Sequence, residues 1–249
     1  MLEGKHALVT GGGTGIGLAI ARALADQGAQ VTITGRRYEV LQEVATEGLF
    51  PMAMDVTDEA QQIEGIAQAV AERGPIQICV ANAGIAEGRT LQKTDLDFWR
   101  KIMATNLDGA FVTMRESMKS MLTTDWGRVI AISSIAGVKG LKGAGAYSAS
   151  KHGIIGLIRT YAEEHMGGPI TFNAICPGYV DTPIVARNAD SIQARAGLSK
   201  EAAQDIMIQA NCHKRLITPE EIAASALWLC HPNSASVNAQ TIEIAGGQV

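Results

Sequence analysis

Five glycines stand within seven residues near the start of this chain, in the run Gly11-Gly12-Gly13-Thr14-Gly15-Ile16-Gly17. The apolar run His6–Thr10 leads directly into them, and Ile16–Ala25 beyond spaces its apolar residues along one face of a helix. A strand, a tight turn and a helix are expected. Glycine lets the backbone reverse there and lie close against a ligand. The unpaired N–H groups and positive end of the helix that opens there attract an anion such as a pyrophosphate. A glycine-rich connection with no ligand is the plainer reading of such a run. Its place between first strand and first helix favours the binding turn.

The same alternation recurs down the chain. Val31–Thr34, Leu49–Met54, Ile76–Ala81, Val129–Ser133, Ile170–Cys176 and Thr241–Ile244 read as strands, and most gaps between them carry helical periodicity. These strands are short, β-branched and apolar on both faces, as a parallel sheet covered by helices on each side requires. The expected fold is α/β: a doubly wound seven-stranded parallel sheet (Rossmann), a single domain over residues 1–249. A (β/α)₈ barrel also suits the alternation and the length. The glycine turn after the first strand decides for the open sheet, and no repeat or Pro/Ser-rich linker divides the chain.

Composition removes several function classes. Asp plus Glu is 25 against 21 Lys plus Arg, a formal net charge of -4, which disfavours a broad grip on nucleic acid or on an anionic membrane. No apolar run approaches the roughly 18 residues of a membrane span. The opening MLEGKHALVT lacks the apolar stretch of a signal peptide. Cys79, Cys176, Cys212 and Cys230 are scattered without a CxxC pair, which fits a reduced, cytoplasmic setting. No metal site is expected.

Several separated motifs now converge. Besides Gly11, Gly15 and Gly17, the chain carries Asn82-Ala83-Gly84 after the fourth strand, Asn106 in a helical stretch, and Ser134 after the fifth strand. Tyr147-Ser148-Ala149-Ser150-Lys151 and the segment Pro177-Gly178 with Val180-Asp181-Thr182 come later in the chain. In this ordered set the chain resembles the short-chain dehydrogenases/reductases of the 250-residue type, from about residue 5 to residue 247. The resemblance implies hydride transfer between a nicotinamide cofactor and a carbonyl or alcohol substrate. It also implies the tetrad Asn106, Ser134, Tyr147 and Lys151, with Ser134 binding the substrate oxygen and Asn106 holding a water that relays protons to the lysine. Cofactor contacts are implied at Gly11, Thr14, Gly15, Ile16, Gly17, Asn82, Ala83, Gly84, Tyr147, Lys151, Pro177, Gly178, Val180 and Thr182.

Part of this chemistry follows from the residues themselves. Tyr147 and Lys151, four apart, share one helix face, so the ammonium can lie near the phenol. A nearby cation favours the phenolate, and moving the phenol from about 10 to about 7 takes roughly 4 kcal/mol, which one lysine plus the charge on an oxidised nicotinamide can supply. Tyr147 is the candidate general acid/base; a packed tyrosine with a solvated lysine is the plainer reading. Ser133 rivals Ser134. The spacing to Tyr147 favours Ser134, and a serine that only satisfies strand-end backbone groups remains the alternative. Asn106 is a poor helix former inside a helical pattern, which suits either a special role or a core hydrogen bond.

The cofactor choice rests on the end of the second strand, Thr34-Gly35-Arg36-Arg37. A carboxylate there selects NAD and an arginine accepts a 2′-phosphate. Arg36 therefore favours NADP, although glycine at 35 also admits NAD and the arginines alternatively begin the next helix. Asp55-Val56 resembles an adenine-contacting pair, and Asp55 equally suits a turn or cap.

Residues 183–218 interrupt the alternation and resemble a substrate lid. Ile184, Val185, Ile206 and Met207 suggest an apolar pocket or an ordinary amphipathic helix. Cys176-Pro177-Gly178 and the lid length are similar to 3-hydroxybutyrate dehydrogenases. However, Ile135-Ala136 and Ala144 replace the His and Lys with which that group grips a carboxylate. Lys139 and Lys142 flank the site, either for an acidic group such as a phosphopantetheine or simply solvated. The first substrate reading is a 3-oxoacyl thioester. The alternatives are an NAD-linked dehydrogenase of a small alcohol or hydroxy acid, a non-catalytic dinucleotide sensor, and a longer epimerase-like type. The resemblance implies a homotetramer packed through helices around Trp99–Thr123 and Ser148–Glu164. Gly153 and Gly156 suit close helix contact there or packing onto the chain's own sheet.

Overall fold

The structure is a computed structural model that describes residues 1–186 and 199–248. Among these, seven parallel strands form one sheet: β1 (His6–Thr10), β2 (Gln30–Gly35), β3 (Leu49–Ala53), β4 (Ile76–Ala81), β5 (Gly127–Ile132), β6 (Ile170–Pro177) and β7 (Thr241–Ile244). Their order across the sheet is β3-β2-β1-β4-β5-β6-β7. The doubly wound seven-stranded sheet is therefore the fold, as expected. Strand ends differ from expectation by a residue or two; β5 stops at Ile132, so Ser133 and Ser134 stand beyond it.

The helices are α1 (Gly15–Ala25), α2 (Tyr38–Val44), α3 (Glu59–Arg73), α4 (Leu96–Met103), α5 (Gly109–Met121), α6 (Gly145–Glu164), α7 (Lys200–Ala210) and α8 (Pro219–Cys230). Alternate strand residues feed two cores. Ala7, Val9, Ile78, Val80, Ile130 and Ile132 pack with Ile20 and Leu24 of α1 and with Ile222 and Leu229 of α8. Leu8, Cys79, Ala81, Val129 and Ala131 pack on the other face with Met114 of α5 and with Ile154, Ile155 and Ile158 of α6. This is why the strands read as apolar on both faces. Burial of each large side chain is worth about 1.5–3 kcal/mol. No described helix is long and apolar enough to cross a membrane.

Two local features shape the ligand-facing end of the sheet. The strand order reverses between β1 and β4, so the crevice at their carboxyl ends is the place where such a sheet receives a ligand. Between α4 and α5 the backbone widens into one π-helical turn, Ala104–Asp108, with Asn106 fully buried inside it. The single helix expected around Trp99–Thr123 thus carries a bulge, a distortion common at functional sites.

Candidate active site

A cleft of about 1360 Å³ opens along the carboxyl ends of the strands, larger than the roughly 300–1,000 Å³ of an ordinary small-ligand pocket. At its floor is the glycine turn. Gly11 and Gly15 lie at φ +64° and +53°, where side chains are strained. A Cβ on Gly17 would fall 2.4 Å from Asn82 Nδ2 and from Gly11 O. Thr14 begins α1 without a side-chain cap, so the first N–H groups of the helix stay free for an anion in the cleft.

The turn is braced from β4. Asn82 Nδ2 donates to Thr10 O at 2.8 Å and Gly11 O at 3.3 Å, while Thr10 Oγ1 accepts from the N–H groups of Asn82 and Ala83 at 3.0 and 3.1 Å. The Asn82 side chain therefore holds the turn rather than reaching out from it. Thr10, whose hydroxyl organises this junction, carries no signal in the sequence, because a threonine ending a strand is ordinary until the partner strand is known.

Every site residue expected from the sequence lines this cleft except Asn106. Arg36 and Arg37 are exposed, and neither guanidinium has a partner among the described residues. Arg37 caps α2, so only Tyr38 onward is helical. Asp55 Oδ1 accepts from Thr57 N and Thr57 Oγ1, both at 2.9 Å, so the residue is a turn-former that also faces the cleft. Thr182 packs against Gly15, where a Cβ would meet its methyl at 3.0 Å. The glycine cradle, the uncapped helix end and the free arginines fit a phosphorylated dinucleotide.

Farther along the cleft stand Ser134, Tyr147 and Lys151. Ser134 Oγ accepts from Ala136 N at 3.1 Å, capping a short 3₁₀ turn, and Ser134 lies near enough to the Tyr147 phenol to pull its pKa down. Ser133 points away and donates to Lys151 O at 3.0 Å, so of the two serines only Ser134 meets the tyrosine. Lys151 is buried and donates through Nζ to Ile132 O at 2.8 Å, 5.8 Å from the Tyr147 ring centroid. Asn106 sits behind the wall. Its Oδ1 accepts from Ile85 N at 2.8 Å, and Nδ2 donates to Ile85 O at 3.0 Å and Ser150 Oγ at 3.1 Å. This is the core hydrogen-bonding alternative realised. Gly84 leaves it one outlet, since a Cβ there would lie 3.2 Å from Asn106 Oδ1 and 3.6 Å from Lys151 Nζ.

Burial dominates the titration of this group. It pushes the Tyr147 phenol above its ordinary range, with Ser134 pulling the other way, and pushes the Lys151 ammonium down to about 8. The expected lowering draws on the charge of an oxidised nicotinamide as well as on the lysine, so it concerns the cofactor-bound site. Within the chain desolvation sets the direction, and Tyr147 stays protonated at neutral pH.

The other half of the cleft carries the apolar side chains Ile135, Leu141, Ala144, Ile184, Val185, Ile206 and Met207, and the charged Glu87, Arg89, Lys101 and Lys142 also line the cleft. Lys142 stands exposed at its mouth. Lys139 does not flank it freely: Nζ donates to the backbone carbonyl of Gln248 at 2.5 Å, tying down the carboxyl-terminal segment. Residues 187–198 of the expected lid lie outside the described residues. Among the described residues, no group of three or more His, Cys, Asp or Glu side chains is placed to hold a metal ion.

A family model described as short chain dehydrogenase matches residues 5–193. The chain belongs to the short-chain dehydrogenase family. It is 33% identical over 98% of its length to D-beta-hydroxybutyrate dehydrogenase of Rhizobium meliloti, covering 98% of that protein. It is 35% identical to a putative ketoacyl reductase of Streptomyces coelicolor, with 98% and 97% of the two chains covered. A single-residue variant of actinorhodin polyketide ketoreductase, solved with NADPH, superposes with a TM-score of 0.95 at 32% identity, covering 100% of this chain and 99% of that one. As a short-chain dehydrogenase, the protein is an NAD(P)-dependent oxidoreductase that interconverts a ketone and a secondary alcohol.

Proposed function

We propose that this short-chain dehydrogenase works as an NADP-linked reductase of 3-oxoacyl thioesters, a homotetramer in the cytoplasm. The observation that carries the catalytic reading is that Ser134, Tyr147 and Lys151 line one cleft, with Lys151 one helical turn beyond Tyr147. When bound, the nicotinamide supplies the hydride. Ser134 orients the carbonyl oxygen, and Tyr147, protonated at neutral pH, gives that oxygen its proton. Lys151 then restores the phenol proton, and the opening over Gly84 toward Asn106 Oδ1 offers the path of resupply. Pro177, Gly178, Val180 and Thr182 close the nicotinamide end, and residues 183–218 act as lid. The ketoacyl reductase relatives and the apolar side chains of the pocket support an acyl substrate. A free hydroxy acid is less well served, because Ile135 and Ala144 carry no charge and Lys139 is spent on Gln248. With all four tetrad positions filled, a non-catalytic sensor is less favoured still.

Arg36 supports the cofactor preference. Charge-assisted hydrogen bonds are worth about 1.5–3 kcal/mol, so Arg36→Ala is expected to weaken NADPH binding by roughly 10- to 100-fold and leave NADH binding unchanged. Fluorescence titration with each cofactor checks it; equal weakening of both would make Arg36 a solvated residue. Turnover of acetoacetyl thioester with NADPH tests the substrate class directly, and inertness toward it together with oxidation of free 3-hydroxybutyrate would replace the thioester by the hydroxy acid.

Support for the tetramer lies on α6. Gly153 is turned inward, where a Cβ would meet Leu107 at 2.8 Å, whereas Gly156 has nothing within 4 Å and leaves an open strip for a second copy. Sedimentation at micromolar concentration is expected to give four chains; a monomer would remove the assignment.

A further inference from the structure

One polar group in the apolar half of the cleft has no part in the chemistry above. Tyr179 lies just past β6, lines the cleft, and packs its ring against Val185, Ala203 and Met207. Its hydroxyl has no hydrogen-bond partner among the described residues. The hydroxyl is not sealed in the core but belongs to a side chain lining the cleft, where a ligand can take it as a donor; phenylalanine would build the same wall without offering one.

The backbone of Tyr179 is held at both of its polar groups. Its N–H donates to Asn211 Oδ1 at 3.1 Å, and its carbonyl accepts from Asn211 Nδ2 at 2.9 Å and from Ile217 N at 3.0 Å. Asn211 is fully buried, ends α7, and donates also to Arg215 O at 2.7 Å. Gly178 is tied to the same clamp, because a Cβ there would sit 2.9 Å from Asn211 Oδ1. A side chain mounted on a backbone fixed in this way is presented to the cleft in one position.

We propose that Tyr179 determines specificity in this reaction: its hydroxyl donates a hydrogen bond to a second, uncharged oxygen of the substrate, and Asn211 is the positioning residue that holds it there. Ser134 and Tyr147 serve the reacting oxygen, leaving Tyr179 for another. The second oxygen is uncharged because the phenol brings one hydrogen bond and no charge, and the side chains packed against it, Val185, Ala203 and Met207, are apolar. Of the cations that line the cleft, Arg89 and Lys101 are paired with Asp95 and Glu87, and Lys142 stands exposed at the mouth. A carbonyl of an ester or thioester set beside the reacting ketone has this chemistry. The inference rests on the carbonyl-reduction reading above and adds to it a residue that reads the rest of the substrate.

The test uses the full chain, NADPH and two probes of equal chain length: ethyl acetoacetate, which has the second oxygen, and heptan-2-one, which lacks it. Tyr179→Phe is expected to lower kcat/KM for ethyl acetoacetate about tenfold, mainly through KM, the factor one hydrogen bond supplies. Heptan-2-one should be handled as before. Asn211→Asp keeps the shape of the clamp, loses its N–H donors, and is expected to shift the ratio of the two probes in the same direction. Equal losses on both probes, or no change on either, would make Tyr179 a wall and Asn211 a folding residue and overturn the proposal. A wild-type protein that turns over neither probe overturns the carbonyl reading along with this one, whereas an unselective Tyr179→Phe variant overturns this one alone.

Discussion

Tyr147→Phe is expected to cut reductive turnover about a thousandfold, within the range a positioned general acid contributes, while NADPH binds within about twofold of wild type. The substitution deletes one oxygen. The ring still fills its place on α6, and Ser134 still caps its 3₁₀ turn through Ala136 N, so the wall of the cleft is kept. The cofactor half is built from other parts: the turn Gly11–Gly17, the brace from Asn82, and Arg36. Binding and turnover should therefore separate cleanly, and stopped-flow turnover beside a fluorescence titration measures both. Full activity in the variant would remove Tyr147 from the mechanism. Loss of NADPH binding would make it a structural tyrosine. The direction of its shift adds a pH dependence. Burial holds the phenol protonated, so reduction should run at a constant rate through neutral pH and fall in alkali, where the proton donor is lost.

The sheet was legible because both of its requirements are local. Runs such as Ile76–Ala81 are apolar at every position, and the crossovers between them carry helical spacing, so neither needed knowledge of distant contacts. The glycine turn was legible for a similar reason: it occupies one short stretch and its physics is backbone conformation. The chemistry-bearing side chains were a different case. Spacing put Tyr147 and Lys151 on one helix face, but whether burial or charge prevails at the phenol depends on what closes over it, and that comes from elements far apart in the chain. Asn106 shows the same limit. Sequence marked it as anomalous in a helix, and only the fold reveals that its amide is spent on Ile85 and Ser150 across a π turn. Lys139 looked like a neighbour of the site until the carboxyl-terminal segment came back to claim it. Thr10 and Asn211 carried no signal, since each acts by bonding backbone groups of a segment brought to it by the sheet.

Lys151→Met is expected to make the cofactor-free protein more stable at neutral pH while abolishing its activity. The ammonium is buried, and its pKa falls from an ordinary 10.5 to about 8. Between those values the unfolded chain holds a proton that the folded chain has released, so stability rises with pH across that window and the charge is a burden below it. At about 1.36 kcal/mol per pH unit the burden at neutral pH is about 3 kcal/mol. Methionine removes the burden and leaves Ile132 O without its donor, which costs about 1 kcal/mol. The net gain should be about 2 kcal/mol near pH 7, shrinking as pH rises above about 8 and reversing only near the unfolded value of 10.5, where the burden falls below the cost of the lost bond. Three buried thiols act in the opposite sense. Burial raises Cys79 and Cys176 to about 11 and Cys230 to about 12, so stability falls as pH rises through the unfolded thiol value of 9 in both proteins. The lysine is therefore read from the difference between wild type and variant, by urea unfolding at matched protein concentration at pH values on either side of the window. A variant less stable than wild type at neutral pH would mean that the Ile132 bond outweighs the buried charge, and that the fold rather than the chemistry accounts for this lysine. A more stable and inactive variant would show the opposite: a cation kept at a cost to folding because the phenol beside it needs a proton source.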